Sequence, residues 1–343
     1  MKYLTPGPVQ LPKQVVEAIA RQPPFHRTEE FAEVFREVIE KLMNIYSATP
    51  VIIPGTGTLA VDVMVHNYVD PGDNVIVVVG GEFGERLVEA VEARGGVVHK
   101  IEWSYGEAPP PDVLEDMIKK VGEVRAVAVV HNETSTGTTN RFIERYQDIA
   151  ESHGATLLVD SVSIFPAEVF KKKVDVIATA SQKAFISPPG AAILYLSKEP
   201  TAKMPVPPSM NLKKFLQFLK KWETPYTPPI NVVYGLNAAL DYILGMGIEK
   251  YHEIHRERAE YLYSGVRLEP IAKKPFRSYT VTAFYTERAR EVIAELKKHG
   301  YVIAGGMGKL RDRLIRIGVM GEISFEDLRT VVEVVNSYVD RQW

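Results

Sequence analysis

Short and almost uninterrupted apolar runs alternate with amphipathic stretches between about residues 50 and 200. Apolar runs that lack polar alternation are typical of strands covered by helices on both faces. Six runs fit this description: NVIVVV (74–79), GVVHKI (96–101), VRAVAVVH (124–131), GATLLVD (154–160), VDVIATA (174–180) and AAILYL (191–196). The stretches GERLVEAVEARGG (84–96) and DVLEDMIKKVG (112–122) lie between them and have helical periodicity. The alternation predicts an α/β domain built on a parallel sheet.

The pattern changes toward the C-terminus, where longer helical stretches precede isolated strands. The predicted elements are helices at 230–246, 248–264 and 288–300 and strands at 277–285 and 314–319. A last helix begins at Ser324, whose hydroxyl can form a capping box with Asp327. These elements predict a smaller α+β domain, and the Pro-rich stretch EPTAKMPVPP (199–208) marks the crossing into it.

Composition narrows the functional class. A chain of 343 residues with 45% hydrophobic and 24% charged residues is long enough for two globular domains. The net charge of −2 argues against a nucleic-acid partner, and no apolar run is long enough for a membrane span. The N-terminus MKYLTPGPVQ lacks the apolar core of a signal peptide, so we expect a cytoplasmic protein. The absence of cysteine excludes disulfides, thiolate metal sites and cysteine nucleophiles.

Two candidate sites are loops that follow apolar runs, where ligands of parallel sheets bind. PGTGT (54–58) opens onto a helix, so backbone N–H groups together with Thr56 and Thr58 can cradle a phosphate. The loop lacks the Gly-Lys-Ser/Thr of a P-loop, and an ordinary helix cap remains the alternative. HNETSTG (131–137) places His131 and Thr134 directly after the predicted strand VRAVAVV, where a hydrogen-bonded loop is equally consistent.

The other two candidates are single charged residues at strand ends. Asp160 ends an apolar run, and a buried carboxylate there needs a cation or a donor, unless it caps a helix. Lys183 follows another apolar run among small residues, where desolvation lowers the pKa of an amine, although an isolated lysine is more often exposed. Pyridoxal 5′-phosphate explains the set, because it needs a lysine, a carboxylate and a phosphate cradle together.

These residues stand in motifs whose order and spacing resemble class V, fold-type I pyridoxal-phosphate aminotransferases. The chain is most similar to the alanine–glyoxylate and serine–pyruvate aminotransferases of that class. The motifs that carry the resemblance are TPGP (5–8), FHRTEEF (25–31), PGTGT (54–58), GGEFGERLVEAVEARGG (80–96), HNETSTG (131–137), LLVDSVS (157–163), SQKA (181–184), TPYTPPI (224–230) and IRIGVMG (315–321).

The resemblance implies a fold and a domain division. We expect an α/β protein whose large domain has a mainly parallel seven-stranded sheet between helices, with a smaller C-terminal α+β domain. The expected divisions are an N-terminal segment at 1–20 that joins the active site, a large cofactor-binding domain at 21–240 and a small domain at 241–343.

The resemblance also implies a role for individual residues. Lys183 would bond to the cofactor and move the proton, Asp160 would keep the pyridine nitrogen protonated, and Thr134 would hydrogen-bond the phenolic oxygen. Arg316 would bind the substrate carboxylate through a bidentate fork, with the backbone of Gly7 beside it.

The remaining implied contacts surround the phosphate and the ring of the cofactor. Phe83, which replaces the tryptophan of some relatives, would stack on one ring face, and Val162 would pack on the other. The phosphate would be bound by Thr56, Gly57, Thr58 and Gln182. Tyr226 and Thr227 would reach the phosphate of a neighbouring subunit, which implies a homodimer with two shared sites; packing within a Pro-rich turn is the alternative for Tyr226.

The expected reaction is transamination from a small amino acid, alanine or serine, to glyoxylate or pyruvate. A lyase or hydrolase of the kynureninase type on the same fold remains an alternative, as does an aminotransferase that uses aspartate or glutamate. A desulfurase fails because it needs a cysteine. His252 and His255 lack the i, i+4 spacing of a metalloprotease site, so we expect no metal there.

Overall fold

The computed structural model describes residues 1–340. Its strands are β1 (Lys2–Tyr3), β2 (Thr49–Gly55), β3 (Asn74–Val79), β4 (Val97–Glu102), β5 (Ala126–Val130), β6 (Asn132–Glu133), β7 (Thr138–Thr139), β8 (Thr156–Asp160), β9 (Val176–Ala180), β10 (Gly190–Leu196), β11 (Val281–Tyr285), β12 (Tyr301–Val302), β13 (Ala304–Gly305) and β14 (Leu314–Gly318). Its α-helices are α1 (Lys13–Ile19), α2 (Glu29–Ile45), α3 (Gly57–Tyr68), α4 (Glu82–Ala93), α5 (Pro111–Val121), α6 (Ile143–Ser152), α7 (Leu212–Leu219), α8 (Ile230–Met246), α9 (Ile248–Gly265), α10 (Ala289–Lys298) and α11 (Phe325–Asp340). In this part of the chain, no helix is both long and apolar enough to cross a membrane.

The central sheet has seven strands in the order β2-β10-β9-β8-β5-β3-β4. All six apolar runs form strands of this sheet, and β10 alone runs antiparallel to its neighbours. The prediction of a mainly parallel seven-stranded sheet is therefore confirmed. The seventh strand, β2, contains Pro50 and Pro54, and these prolines make its sequence atypical of a strand. Both prolines are tolerated because β2 is an edge strand that pairs with β10 on one side.

Helices cover both faces of this sheet, so alternate strand residues enter two separate cores. On one face, Leu42 of α2 and Leu236 of α8 pack with Val127 of β5. On the other face, Met64 of α3 and Leu87 of α4 pack in a second cluster. Strands buried in this way expose only their ends, and the loops after β3, β5, β8 and β9 therefore meet at one edge of the sheet.

The C-terminal part forms its own small core. Strands β11, β14 and β13 make a three-stranded sheet, and its buried residues pack with those of α9, α10 and α11. The predicted capping box starts α11, because the backbone N–H of Asp327 donates to Ser324 Oγ at 3.2 Å and that of Ser324 donates to Asp327 Oδ2 at 2.7 Å.

The Pro-rich stretch does not lead into this smaller sheet, so that expectation was wrong. Its backbone N–H groups bind the loop that follows α3: those of Lys203 and Met204 donate to the carboxylate of Asp70 at 2.8 and 2.9 Å. Helices α7 and α8 follow the stretch and still pack on the elements of the large sheet. The crossing comes later in the chain because α9 is the first helix that contributes to the C-terminal core.

The first ten residues join the two sheets. Strand β1 pairs with β12 in parallel, and the N–H of Gly318 donates to the carbonyl of Leu4 at 2.8 Å. The segment then runs over the end of the central sheet, where Pro6 and Gly7 contact Lys183. The N-terminus therefore closes one side of the region in which the strand ends meet.

Candidate active site

A cavity of about 190 Å³ lies at the carboxyl ends of the parallel strands. Nine of the thirteen predicted site residues line it: Thr56, Gly57, Thr58, Phe83, Thr134, Asp160, Val162, Gln182 and Lys183. They come from the loops after β2, β3, β5, β8 and β9, as expected for a site at this edge of an α/β sheet. The structure thus brings together residues that are spread over more than one hundred positions of sequence.

Lys183 lies in the loop after β9 and points toward the N-terminal segment. Its Nζ donates to the carbonyl of Pro6 at 2.6 Å. Burial, together with the nearby charge of Arg316, lowers the pKa of this amine to about 8. A Cβ on Gly7 would lie 2.3 Å from the Cδ of Lys183, so only glycine allows this packing. The result is an amine that is partly unprotonated near neutral pH.

Asp160 ends β8 and is 7% exposed. Burial raises the pKa of its carboxyl to about 6, and the charge of Glu133 acts in the same direction. The N–H of Val162 donates to Oδ1 at 3.0 Å, and the charge of Lys183 partly offsets the rise. A buried carboxylate with so few donors is stabilised when a further cation or donor enters the cavity.

Helix α3 begins in the cavity without a side-chain cap. The Thr56 side chain makes no capping hydrogen bond, so the first N–H groups of the helix remain available to a ligand. A Cβ on Gly57 would lie 2.5 Å from Cγ1 of Val162, so glycine allows the helix to start against this wall. Gln182 Oε1 is buried and has no hydrogen-bond partner among residues 1–340. The free N–H donors at this positive helix end suit an anion, whereas the amide oxygen of Gln182 can only accept a hydrogen bond from a ligand.

Arg316 lies in the middle of β14 and is 7% exposed. Its Nε donates to the carbonyl of Gly305 at 2.7 Å, and its Nη1 donates to the carbonyl of Thr134 at 3.1 Å. Burial lowers the pKa of the guanidinium to about 10, so it stays charged at neutral pH. These two bonds fix the guanidinium beside the cavity loop that carries Thr134.

Tyr226 and Thr227 do not line the cavity of their own chain. Both are exposed, and the hydroxyl of Tyr226 accepts a hydrogen bond from Lys214 Nζ at 2.8 Å. His131 also lies outside the cavity lining, because its ring bonds Ser161 Oγ at 2.8 Å as part of a hydrogen-bonded loop.

Sequence reasoning missed several residues that line the cavity, and Arg86 is the most important of them. Its guanidinium lies 4.7 Å from the centroid of the Phe83 ring, and its side chain is exposed at the mouth. Asp62 of α3 lines the cavity too, and burial raises the pKa of its carboxyl. Helical spacing was the available signal, since Arg86 follows Phe83 by three positions and Asp62 follows Thr58 by four.

Comparisons with known proteins agree with this geometry. The chain belongs to the class-V aminotransferase family, whose model matches residues 5–297. An uncharacterized aminotransferase of Methanocaldococcus jannaschii is 33% identical, over 93% of this chain and 87% of its own length. Alanine–glyoxylate aminotransferase 1 of Saccharomyces cerevisiae is 29% identical, over 93% and 91%. The crystal structure of a subgroup IV aspartate aminotransferase from Thermus thermophilus superposes with a TM-score of 0.89 at 28% identity, over 99% of both chains. The predicted family, fold class and transaminase activity are thereby confirmed.

Proposed function

We propose that this chain uses pyridoxal 5′-phosphate to move an amino group from alanine or serine to glyoxylate or pyruvate. The observation that carries the proposal is the convergence of Lys183, Asp160 and the uncapped start of α3 on one cavity. The amine has a lowered pKa and the carboxyl a raised one, and perturbed groups of this kind cluster at functional sites.

The cavity fits this cofactor by the chemistry of its unused groups. The start of α3 leaves backbone N–H donors for a phosphate, and the buried Gln182 Oε1 leaves an acceptor for a protonated group of the ligand. Thr56, Gly57 and Thr58 belong to that end of the cavity. A protonated ring nitrogen would supply the cation that the buried Asp160 carboxylate needs.

The cofactor, when bound, withdraws electrons from the Cα of the amino acid. Residues of the chain bind the cofactor, orient the substrate and move the proton. Lys183 holds the cofactor through its amine and then carries a proton between two carbon atoms. Asp160 keeps its charge beside the ring nitrogen and so keeps that nitrogen protonated. Arg316 orients the substrate by its carboxylate, since its own position is fixed by the carbonyls of Thr134 and Gly305.

The remaining predicted residues contact the ring of the cofactor, its phenolic oxygen and the substrate carboxylate. Phe83 and Val162 both line the cavity and provide apolar walls for the two ring faces. The hydroxyl of Thr134 binds the phenolic oxygen, and Gly7 lies close enough to Lys183 for its backbone to border the substrate carboxylate.

We propose a homodimer in the cytoplasm, with Tyr226 and Thr227 completing the phosphate site of the partner subunit. Their exposure and their absence from the lining of their own cavity support this assignment. A donor with one carboxylate is supported by Arg316, the buried guanidinium that is bonded to the cavity loop carrying Thr134. An aspartate or glutamate donor is the second candidate, because Arg86 places another cation at the mouth.

The proposal is tested by titrating the purified protein with pyridoxal 5′-phosphate and then adding alanine, with the absorbance of the bound cofactor as the readout. We expect stoichiometric uptake and loss of the absorbance band with alanine, restored by pyruvate or glyoxylate. Lys183→Ala is expected to abolish turnover, whereas Lys172→Ala, which removes an exposed lysine paired with Asp148, leaves it unchanged. Normal transamination by Lys183→Ala would refute the assignment.

A further inference from the structure

The start of helix α4 carries a wall of the cavity but has no cap of its own. Phe83 is the second residue of the helix, and the preceding Gly81 has no side chain to accept from the first N–H groups. Such groups lack intrahelical partners, so an uncapped start frays unless another part of the chain binds it.

Glu133 supplies the missing cap from a distant part of the chain. Its Oε1 accepts from the N–H of Phe83 at 3.2 Å, and its Oε2 accepts from the N–H of Gly84 at 3.0 Å. Ser135 Oγ accepts from the N–H of Glu82 at 3.2 Å and donates to the same carboxylate. A Cβ on Gly81 would lie 2.5 Å from both Cδ of Glu133 and Oγ of Ser135, so glycine is required for this approach.

The same short segment also holds the guanidinium of Arg316. Thr134 lies between the two capping residues, and its carbonyl accepts from Nη1 of Arg316 at 3.1 Å. The carboxylate of Glu133 is buried and is absent from the cavity lining. It therefore acts on the site through the residues that it holds and through its charge, which also raises the pKa values of Asp160 and Arg316.

We propose that Glu133 is a positioning residue that fixes the first turn of α4, so that the Phe83 ring keeps its place as a wall of the cofactor pocket. The inference rests on the proposed function, since it concerns the aromatic wall against which the cofactor binds. Both carboxylate oxygens are needed, because each accepts from a different backbone N–H. A glutamine offers one acceptor oxygen and turns its NH₂ group toward a donor.

The chain contains a matched control for a purely structural effect. The carboxylate of Asp70 also accepts from two successive backbone N–H groups, those of Lys203 and Met204, with one oxygen each. It lies outside the cavity lining. Asp70→Asn therefore removes the same kind of bond as Glu133→Gln, without touching the start of α4.

The experiment compares the holoenzymes of the wild type, Glu133→Gln and Asp70→Asn. Three readouts are needed: the melting temperature, the dissociation constant for pyridoxal 5′-phosphate, and the visible circular dichroism of the bound cofactor. We expect Glu133→Gln to raise the dissociation constant about tenfold, as the loss of one charge-assisted hydrogen bond predicts, and to reduce the dichroic band. We expect Asp70→Asn to lower the melting temperature while leaving the other two readouts at their wild-type values.

Unchanged affinity and dichroism in Glu133→Gln, or equal changes in Asp70→Asn, would overturn the inference. If Glu133→Gln does not fold, Ser135→Ala is the second variant, because it removes the cap on Glu82 and one donor to Glu133. A smaller change in the same two readouts is expected there, and none would overturn the inference as well. A wild-type protein that takes up no cofactor would instead refute the proposed function, and this inference with it.

Discussion

At the scale of single residues, burial moves the two central ionisable groups toward neutrality. It lowers the pKa of Lys183 to about 8 and raises that of Asp160 to about 6. A lysine amine in an unfolded chain titrates near 10.5, so little of it would be nucleophilic at neutral pH. Desolvation of Lys183 thus makes the reactive form available under ordinary conditions.

The rate at which the apoenzyme attaches pyridoxal 5′-phosphate is therefore expected to depend on pH. Only the unprotonated amine attacks the aldehyde, so the rate should rise with pH and reach half its maximum at about pH 8. Stopped-flow absorbance from pH 6 to 10 measures this profile. A rate that continues to rise toward pH 10.5, as for an ordinary lysine, would contradict it.

Asp160→Asn is predicted to keep the fold and the cofactor but to reduce turnover about 10²-fold or more. The amide has no charge, so the ring nitrogen loses the anion that keeps it protonated. Single-turnover kinetics with alanine, together with the visible spectrum, measure the effect. If Asp160→Asn binds the cofactor and retains full turnover, the aspartate is only structural.

A site residue could be predicted from the sequence when its signal lies in the residues next to it. Lys183 and Asp160 are polar residues that directly follow apolar strands, and this local signal is visible in one dimension. Glu133 and Arg86 act through contacts that connect separate elements. Glu133 bonds Gly84, 49 positions away, and Arg86 reaches the cavity only because α4 turns it toward the mouth. The contact between Glu133 and α4 leaves no local trace in a single sequence, whereas the helical spacing of Phe83 and Arg86 was a signal that could have identified Arg86.

At the scale of elements, the contact between α3 and the loop after β8 sets the shape of the cavity end at which we propose that the phosphate binds. Gly57→Ala is expected to raise the dissociation constant for the cofactor about tenfold, because the new Cβ would lie 2.5 Å from Val162 and one of the two walls must move. Fluorescence titration of the apoenzyme measures it.

Gly245→Ala is the control for this substitution. Gly245 lies within α8, and an added Cβ there meets nothing within 4 Å. Helix propensity favours alanine, so this variant should be as stable as the wild type or more so, with unchanged cofactor affinity. Equal affinity in Gly57→Ala and Gly245→Ala would mean that the close packing of α3 against Val162 does not matter for binding.

Element prediction succeeded where hydrophobic periodicity was undisturbed and failed where the signal depended on neighbours. The helix predicted at 230–246 matches α8 at both ends. Strand β2 was missed because its prolines contradict a strand unless one edge is unpaired. The direction of β10 was also hidden, since an apolar run gives the same pattern in parallel and antiparallel neighbours.

At the scale of the whole molecule, the division into 1–20, 21–240 and 241–343 stays a prediction, and so does the dimer. The hypothesis of shared sites has a direct test in hybrids of two inactive variants. Lys183→Ala lacks the amine, and Thr227→Glu should repel the phosphate of the partner's cofactor. A hybrid of the two contains one intact site, so random pairing should restore activity to about a quarter of all sites.

Activity after unfolding and refolding the mixed variants measures this recovery. The control is a chain with both substitutions, mixed with Lys183→Ala, in which no pairing yields an intact site. Recovery in that control, or a fully active monomer by light scattering, would contradict the shared site. Failure of the first mixture to regain activity, while each variant alone still forms dimers, would contradict it as well.

The choice of amino donor depends on how many cations the whole molecule brings to the cavity. Arg27 donates to the carbonyl of Thr224 at 2.7 Å, and Arg277 lies 4.5 Å from the Tyr263 ring centroid, so neither lines the cavity of its own chain. Arg316 does not line the cavity either, but it is buried and bonded to the carbonyl of Thr134, which does, and it is therefore the carboxylate clamp that we propose. Arg86 lines the cavity and is exposed at its mouth. An exposed guanidinium already stacked on Phe83 stabilises a buried anion less than a desolvated pair would.

We therefore predict that alanine and serine give values of kcat/KM at least about tenfold above those of aspartate and glutamate, because the second carboxylate would be left poorly paired in a desolvated pocket. Steady-state kinetics with the four donors and a fixed acceptor measure the ratio. If aspartate or glutamate leads, the single-clamp prediction is wrong. Arg86→Leu then identifies the second clamp: it should lower kcat/KM for the dicarboxylic donor much more than for alanine, because only the former loses a charge partner.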